Sequence, residues 1–197
     1  MPKKFSDLDK EKIRKTILDE YKKYLINDGE ASKISVDSLV KKANIAKGTF
    51  YFFFDNKEQL FLEVVLEILI VIEKQIEQIK RSSSSSSVFL FDVLLYLRSM
   101  AKEYPWITEI TGNEFSSMLN KLSAEGKNQI SSQKKLIWEK VYNSIADDLV
   151  ISKSVFQGLV SILLLSIADG DEIISFDEAF RELASMITSR SIGKETL

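Results

Sequence analysis

The sequence predicts an all-α protein, and two observations favour this class over one that contains a sheet. Only seven glycines and two prolines occur in 197 residues, which leaves few of the chain breaks that a many-stranded sheet requires. Long stretches instead carry apolar residues at three- and four-residue spacing, the period of a helix with one buried face. Hydrophobic residues make up 45% of the chain, which is enough to build a core.

The side-chain inventory excludes several classes of protein. The chain has no cysteine and no histidine, so disulfides, thiolate sites, imidazole bases and the common zinc sites are ruled out. The charged N-terminus is unlike a secretory signal, so a cytoplasmic location is expected. The most apolar stretch, residues 155–168, is short and interrupted by polar residues, which indicates a buried helix and not a membrane span.

Charge is divided unevenly along the chain. Residues 1–60 hold 13 Lys/Arg and 10 Asp/Glu, whereas residues 61–197 hold 14 and 19. Because contact with phosphates needs local positive charge, this division suits a weakly basic nucleic-acid reader joined to an acidic body. An excess of three positive charges is small, and an ordinary protein surface also shows it.

The N-terminal elements follow from capping residues and apolar spacing. Asp7 is expected to cap a first helix that ends near residues 27–29. Ser35 is expected to cap a short second helix, and Asn44 tolerates the left-handed conformation that a tight turn needs. A third short helix is predicted over residues 47–54. Two short helices joined by a tight turn and packed on a longer one form the outline of a helix-turn-helix unit.

Helices are predicted over most of the remaining chain, at residues 57–80, 88–104, 106–111, 114–122, 127–149, 153–170 and 176–190. Three of their starts are read from caps: Asn56 with Gln59, Ser152, and Ser175 with Glu178. Gly170 is expected to end the helix that follows Ser152. The six serines at 82–87 are predicted to be a surface loop whose last serine caps the next helix.

Residues 36–60, VDSLVKKANIAKGTFYFFFDNKEQL, resemble the helix-turn-helix signature of the TetR (tetracycline repressor) family. The resemblance lies in a lysine-glycine-threonine run, two aromatic residues, and a lysine with an acidic residue that open the fourth helix: Lys47, Gly48, Thr49, Phe50, Tyr51, Lys57 and Glu58. It implies an N-terminal three-helix DNA-binding domain at residues 1–57. It also implies a larger helical effector-binding and dimerisation domain at residues 58–197.

A recognition helix in the major groove presents its N-terminal side chains to base edges. Lys47 can reach a guanine acceptor or a phosphate, Gly48 lets the backbone approach DNA, and Thr49 offers a hydroxyl and a methyl group. Tyr51 can donate to a phosphate, and Lys57 is expected to be a second phosphate contact. The predicted DNA-binding residues are Ser35, Lys47, Gly48, Thr49, Tyr51, Phe52 and Lys57.

Residues 47–54 also have a plainer interpretation, as an aromatic core segment with a tolerated glycine. Phe50 and either Phe53 or Phe54 are expected to pin this segment to the first helix. Two positions depart from the family pattern, because Ala46 stands where a serine cap is common and Phe52 where a polar residue is frequent. These departures predict a modest affinity for DNA.

For the body, the resemblance implies dimerisation through the late helices. Apolar residues lie nearly all round the helix from Val155 to Ile167, which suits packing on the core at one side and on a twofold mate at the other. A twofold homodimer would match a palindromic operator. The predicted interface residues are Ile137, Val141, Ile145, Val155, Leu159 and Ile162.

The resemblance also implies an effector pocket in the body. The candidate lining residues are aromatic or adaptable side chains, each of which is more often an ordinary core residue: Trp106, Phe115, Met118, Trp138 and Tyr142. A hydrophobic or aromatic organic ligand is expected, and neither a cofactor nor a metal is predicted. The acidic residues 169–172 lack the ligand spacing of a calcium loop.

The predicted function is therefore a sequence-specific DNA-binding transcriptional regulator, a homodimeric repressor released from a palindromic operator by a small hydrophobic ligand. Repression is favoured over activation because blocking polymerase needs no further contact surface. An enzyme would need a paired-carboxylate or phosphate-loop pattern, which the sequence does not show. A helical interaction module with a vestigial reader is the other alternative, and it would keep the fold without binding DNA.

Overall fold

In a computed structural model, described over residues 6–28, 34–104, 113–167 and 173–193, the regular elements are helices, which confirms the all-α class. They are α1 (Asp7–Asp28), α2 (Val36–Lys42), α3 (Lys47–Phe53), α4 (Lys57–Ser82), α5 (Ser86–Glu103), α6 (Asn113–Lys121), α7 (Ala124–Asn143), α8 (Lys153–Leu165) and α9 (Phe176–Ser191). A 3-10 helix, Ala146–Asp148, follows α7, and Leu149 forms an isolated antiparallel bridge with Ile192. The helix predicted at 106–111 and the helix end predicted at Gly170 lie outside the described residues.

The chain divides into two compact units, each built from two segments. The first comprises residues 1–67 and 105–130, and the second comprises residues 68–104 and 131–197. The helix-turn-helix elements α1, α2 and α3 all lie in the first unit. The domain boundary predicted after residue 57 coincides with the start of α4, and it stays a prediction.

The core of the first unit is apolar and aromatic. Buried side chains come from the first four helices: Ile17, Tyr21, Leu25, Leu39, Val40, Phe50, Phe54, Leu60, Phe61 and Val64. Arg14 and Lys22 of α1 form ion pairs with Glu63 and Glu67 of α4. Because both pairs join the same two helices, they fix the register of α1 against α4.

The turn between α2 and α3 has the predicted local structure. The Ser35 hydroxyl accepts the backbone N–H of Ser38 at 3.0 Å and so caps α2. Asn44 has a φ of 52°, the left-handed conformation that the tight turn was expected to need. The residue before α3 is Ala46, which supplies no side-chain cap. The direction of α3 is therefore set by the turn and by its buried side, without help from a capping hydroxyl.

The first helix is capped one residue earlier than predicted. Ser6, and not Asp7, is the cap, because its hydroxyl accepts the N–H of Asp9 at 3.2 Å. The carboxylate of Asp9 in turn accepts the N–H of Ser6 at 3.1 Å. This reciprocal pair satisfies two backbone donors at the start of α1, and a cap at Asp7 would satisfy one.

The serine run forms a shorter loop than predicted. Helix α4 continues to Ser82, and the hydroxyl of Ser83 donates back to the carbonyl of Ile79 at 2.7 Å. Ser85, and not Ser87, caps α5 by accepting the N–H of Val88 at 3.2 Å. Serine hydroxyls can form hydrogen bonds with backbone groups at either end of a helix. The serines at both ends of the run therefore belong to α4 or α5, and the loop between the helices is shorter than the run.

Two further boundary predictions are wrong. Helix α7 ends at Asn143 and does not reach residue 149, because Lys80 donates to the carbonyl of Ser144 at 2.9 Å and the chain then turns into the 3-10 helix. Ser175 precedes α9, but it is left-handed with a φ of 55° and makes no side-chain cap. The capping box expected from Ser175 and Glu178 is therefore not formed.

The second unit packs α9 against α5 and α8. Its buried residues come mainly from these three helices: Phe89, Leu90, Val93, Leu94, Phe156, Val160, Leu163, Phe176, Phe180 and Ala184. Helix α8 therefore turns one side to the core, as predicted for this apolar stretch. None of the described helices combines the length and apolar character that a membrane crossing would need.

Two ion pairs join α9 to α5 in this unit. Asp177, in the first turn of α9, pairs with Lys102 and lies 3.2 Å from the guanidinium of Arg98. The side chain of Arg98 is only 12% exposed, and its guanidinium lies 4.7 Å from the ring centre of Phe176. The hydrogen bond from Lys102 holds the pKa of Asp177 below its usual value.

We expect Asp177→Asn to lower the free energy of unfolding at neutral pH and to have little effect in acid. A carboxyl whose pKa is depressed in the folded state contributes stability above its unfolded pKa, about 4. That contribution is lost as the pH falls through the lower folded pKa. Urea titrations at pH 7 and about pH 2.5 measure the difference, with the exposed Asp147→Asn as the control. A difference that persists unchanged in acid would contradict the assignment.

Candidate nucleic-acid interface

Helix α3 has a buried side and an exposed side. Phe50 and Phe54 are buried, which matches their expected role in pinning this segment to the core. The opposite side, named here the α3 face, consists of Lys47, Gly48, Tyr51 and Phe52 and is exposed to solvent. The interpretation of residues 47–54 as a plain core segment therefore applies to only one side of the helix.

Gly48 is not required by the chain's own packing. No atom outside its own backbone and chain neighbours lies within 4 Å of the position that a Cβ would occupy. Glycine in a helix interior costs about 1 kcal/mol relative to alanine. The described chain therefore leaves room for a side chain at position 48, and its own packing does not account for a glycine there.

Lys47 is exposed but already has a partner. Its ammonium lies 2.8 Å from a carboxylate oxygen of Asp37 on α2, and both side chains are more than half exposed. The hydrogen bond from Lys47 to Asp37 raises the pKa of Lys47, so the ammonium stays charged. Sequence reasoning missed Asp37, because this pairing depends on the angle between α2 and α3 and no local motif signals it.

We expect Asp37→Asn to raise the affinity for random-sequence duplex DNA several-fold at low salt. The substitution removes a negative charge beside the α3 face and releases Lys47 to bind phosphate. Fluorescence anisotropy with a short labelled duplex measures the change across a salt series. Asp147→Asn makes the same change of charge in the second unit and is expected to have a smaller effect. An equal or lower affinity for Asp37→Asn would contradict this role.

The other predicted DNA-binding residues have different surroundings. Thr49 is half-buried at the edge of the α3 face, and the Ser35 hydroxyl accepts the cap bond of α2. The ammonium of Lys57 donates to the carbonyl of Ile34 at 3.1 Å, and burial lowers its pKa. The expected phosphate contact of Lys57 stays a prediction, and in the described chain its ammonium binds the segment just before α2.

The segment that contains α2 and α3 also matches a known protein family. Residues 25–64 match the family model described as bacterial regulatory proteins, tetR family. The match covers the end of α1, the whole of α2 and α3, and the beginning of α4. No curated protein sequence matches the chain significantly.

Solved structures with the same fold span nearly the whole chain. The reduced form of NemR from E. coli is 14% identical, with a TM-score of 0.70 and coverage of 94% of this chain and 100% of that one. FadR from Bacillus subtilis, in complex with stearoyl-CoA, is 15% identical, with a TM-score of 0.67 and coverage of 89% and 98%. A TetR/AcrR-family regulator from Thermobifida fusca is 14% identical, with a TM-score of 0.66 and coverage of 89% and 96%.

The segment at residues 25–64 matches the DNA-binding part of the TetR family, and the chain has the fold of TetR-family regulators of known structure. This confirms the recognition made from Lys47, Gly48, Thr49 and the aromatic residues that follow them. TetR-family regulators are DNA-binding proteins without enzymatic activity, which favours a regulator over the alternative of an enzyme. The α3 face occupies the recognition-helix position of a helix-turn-helix unit.

The second unit has an exposed apolar surface on α8 and α9. A groove of roughly 530 Å³ runs between the two helices. It is lined by residues that include Leu159, Ile162, Leu183, Met186 and Ile187. Ile162 is 69% exposed and Met186 is 63% exposed, which are high values for side chains of this size. We name these five residues and the groove they line the α8–α9 face.

The interface residues predicted from the sequence fall into two sets. Val155 and Ile162 are exposed on α8, and Leu159 lines the α8–α9 face. The other three, Ile137, Val141 and Ile145, are buried in the chain's own core. They are not available to a second copy, so the interface prediction is corrected for them.

Sequence reasoning did not identify the α9 side of this surface. Leu183, Met186 and Ile187 recur at helical spacing beside the buried Phe180 and Ala184 and line the groove. That second apolar stripe is visible in the sequence. It indicates that α9, like α8, has an exposed apolar side in addition to the apolar side that packs on the core.

The predicted effector-lining residues are dispersed over the chain. Trp106 lies outside the described residues, and the side chain of Phe115 is likewise not described, although α6 includes its backbone. Met118 is fully buried in the first unit. Trp138 and Tyr142 are half-buried on α7 in the second unit, and the ammonium of Lys153 lies 4.0 Å from the ring centre of Tyr142. Their role in binding an effector stays a prediction.

Proposed function

We propose that this protein is a homodimeric, sequence-specific DNA-binding repressor that reads a palindromic operator with the α3 face. The observation that carries the proposal is the open surface at Gly48 on an exposed helix inside the helix-turn-helix unit. A recognition helix is pressed into the major groove, where a Cβ at this position would meet bases or backbone. Close contact with DNA would then explain a glycine that the packing of the described chain does not require.

The neighbouring side chains suit the same contact. Lys47 supplies a cation for a phosphate or for the acceptors of guanine, and Tyr51 supplies a hydroxyl donor. Tyr51 is 50% exposed, and its ring packs edge-on against the buried Phe50 at 5.3 Å between centroids. The ring is therefore held by the core while the hydroxyl remains on the exposed face.

Lys47→Ala is expected to weaken binding to a random-sequence duplex pool by about tenfold at low salt and to reduce the salt dependence by about one phosphate contact. Tyr51→Phe is expected to cost about fivefold, because it removes one hydrogen bond while leaving the ring in place. Anisotropy titrations across a salt series measure both effects. Circular dichroism and sedimentation should be unchanged. A wild-type affinity in both variants would contradict the role of the α3 face, and absence of DNA binding by the wild-type protein would favour an interaction module with a vestigial reader.

The second copy is proposed to dock on the α8–α9 face. Exposed apolar side chains on two adjacent helices form a continuous surface, and its apolar groove suits a self-complementary contact. Twofold symmetry would present two α3 faces to half-sites about one helical turn of DNA apart, about 34 Å. A palindromic operator follows from that symmetry.

An effector is proposed to relieve repression. FadR from Bacillus subtilis, which has the same fold, was solved with stearoyl-CoA, a ligand with a long apolar chain. A small hydrophobic or aromatic ligand that prefers a body conformation unsuited to DNA would lower operator affinity. The regulator would act in the cytoplasm, where its DNA is. Long-chain acyl-CoA and aromatic compounds, titrated against the protein–operator complex, test this step; a complex unaffected by every compound would favour a regulator without a ligand.

A further inference from the structure

Phe52 is an exposed aromatic residue on the α3 face. Its side chain is 63% exposed, whereas Phe50 and Phe54 on the opposite side of the helix are buried. The core side of α3 is therefore already filled, and the ring of Phe52 contributes nothing to it. A single exposed apolar residue is ordinary on a protein surface, so its meaning depends on what stands beside it.

Gly48 stands beside it, one helical turn earlier on the same side. The ring of Phe52 does not fill the open space at Gly48, because it packs edge-on against Phe53, with centroids 4.9 Å apart and an angle of 89° between the planes. The open space at Gly48, called the gap below, therefore has the exposed ring of Phe52 one helical turn away on the same helix.

The charge at the edge of this gap indicates its occupant. Lys47 lies next to Gly48, and its ammonium is on the exposed side with 53% of the side chain accessible. An apolar protein partner that covered the gap would also have to desolvate the ion pair of Lys47 with Asp37, which is costly. DNA offers phosphates that can take the place of Asp37 beside the ammonium and a flat base edge for the gap, so it fits both features.

A phenyl ring can discriminate among base edges because it has no hydrogen-bonding group. It neither donates nor accepts a hydrogen bond, so a polar edge buried against it loses water without compensation. In the major groove only thymine presents an apolar group, its 5-methyl. We propose that Phe52 is a specificity-determining residue that reads the 5-methyl group of a thymine, with Gly48 admitting the base edge. This inference rests on the proposed function and names one feature of the operator that the function requires.

The test compares thymine with deoxyuridine, which differs only by the missing methyl group. The full-length protein selects duplexes from a random pool, and the selected duplex is then synthesised with deoxyuridine at one thymine position at a time. Wild-type protein is expected to bind about fivefold more weakly when the contacted thymine is replaced. Phe52→Ala is expected to bind the two forms equally, and Phe52→Leu, which keeps an apolar group, to retain part of the preference.

Leu8→Ala is the matched control, because it removes another exposed apolar side chain from the first unit. It is expected to keep the full preference for thymine. Equal binding of both forms by wild-type protein at every position would overturn the proposal, and so would a preference that survives in Phe52→Ala. Absence of binding to any duplex contradicts the proposed function as well, whereas tight binding without a methyl preference contradicts only the role of Phe52.

Discussion

Ile162→Glu is expected to convert the protein from a dimer to a monomer and to weaken operator binding by about 100-fold or more. Ile162 lies in the α8–α9 face and is 69% exposed in the single chain, so a glutamate there is tolerated by the monomer. In a dimer the same carboxylate would lie in an apolar contact, and twofold symmetry would place it there twice. Each monomer would then hold only one half-site, and the affinity gained from linking two readers would be lost.

Sedimentation velocity over a range of protein concentrations measures the first effect, and a titration with the selected operator measures the second. Val71→Glu is the matched control, because Val71 is also an exposed apolar residue but lies on α4, outside the α8–α9 face. It is expected to remain dimeric. A dimer that survives Ile162→Glu with unchanged stability would place the interface elsewhere.

Gly48→Ala is expected to raise the stability of the protein and to lower its affinity for the operator. The added methyl meets no atom of the chain within 4 Å, and alanine favours a helix over glycine by about 1 kcal/mol, so the free energy of unfolding should rise. Operator affinity should fall by about tenfold or more, because the methyl occupies the space through which α3 approaches the base edges.

Thermal or urea unfolding and an operator titration measure the two effects on the same preparation. Ser99→Ala, which raises helix propensity at an exposed position of α5, is the control for stabilisation alone, and its DNA affinity should equal that of wild type. A Gly48→Ala protein that binds the operator as tightly as wild type would show that the gap at Gly48 is not a contact surface.

The parts of the fold that the sequence predicted well are those with a local cause. The Ser35 cap needs only the N–H three residues ahead, and the left-handed Asn44 needs only its own side chain and the turn around it. The exposed and buried sides of α3 follow from helical spacing, which also separates Phe50 and Phe54 from Tyr51 and Phe52. The family signature runs through the same stretch of chain.

The parts that it missed depend on contacts distant along the chain. The apolar spacing predicted that Ile137 and Val141 are buried. It does not distinguish burial in the chain's own core, which the structure shows, from burial against a second copy. The side chain of Lys57 was assigned to phosphate because of its place at a helix start, yet its ammonium binds the carbonyl of Ile34, 23 residues earlier. The pairing of Lys47 with Asp37 likewise depends on how α2 and α3 cross.

We propose above all that the protein reads a twofold-symmetric DNA sequence with the α3 face. The most direct test is selection of bound duplexes from a random pool by purified wild-type and Gly48→Ala proteins, at low and near-physiological salt, followed by sequencing. We expect wild-type protein to enrich a palindrome that persists at the higher salt, whereas Gly48→Ala enriches it far less. No enriched sequence with wild-type protein at either salt would contradict operator reading, and equal enrichment by both proteins would contradict the role of the α3 face.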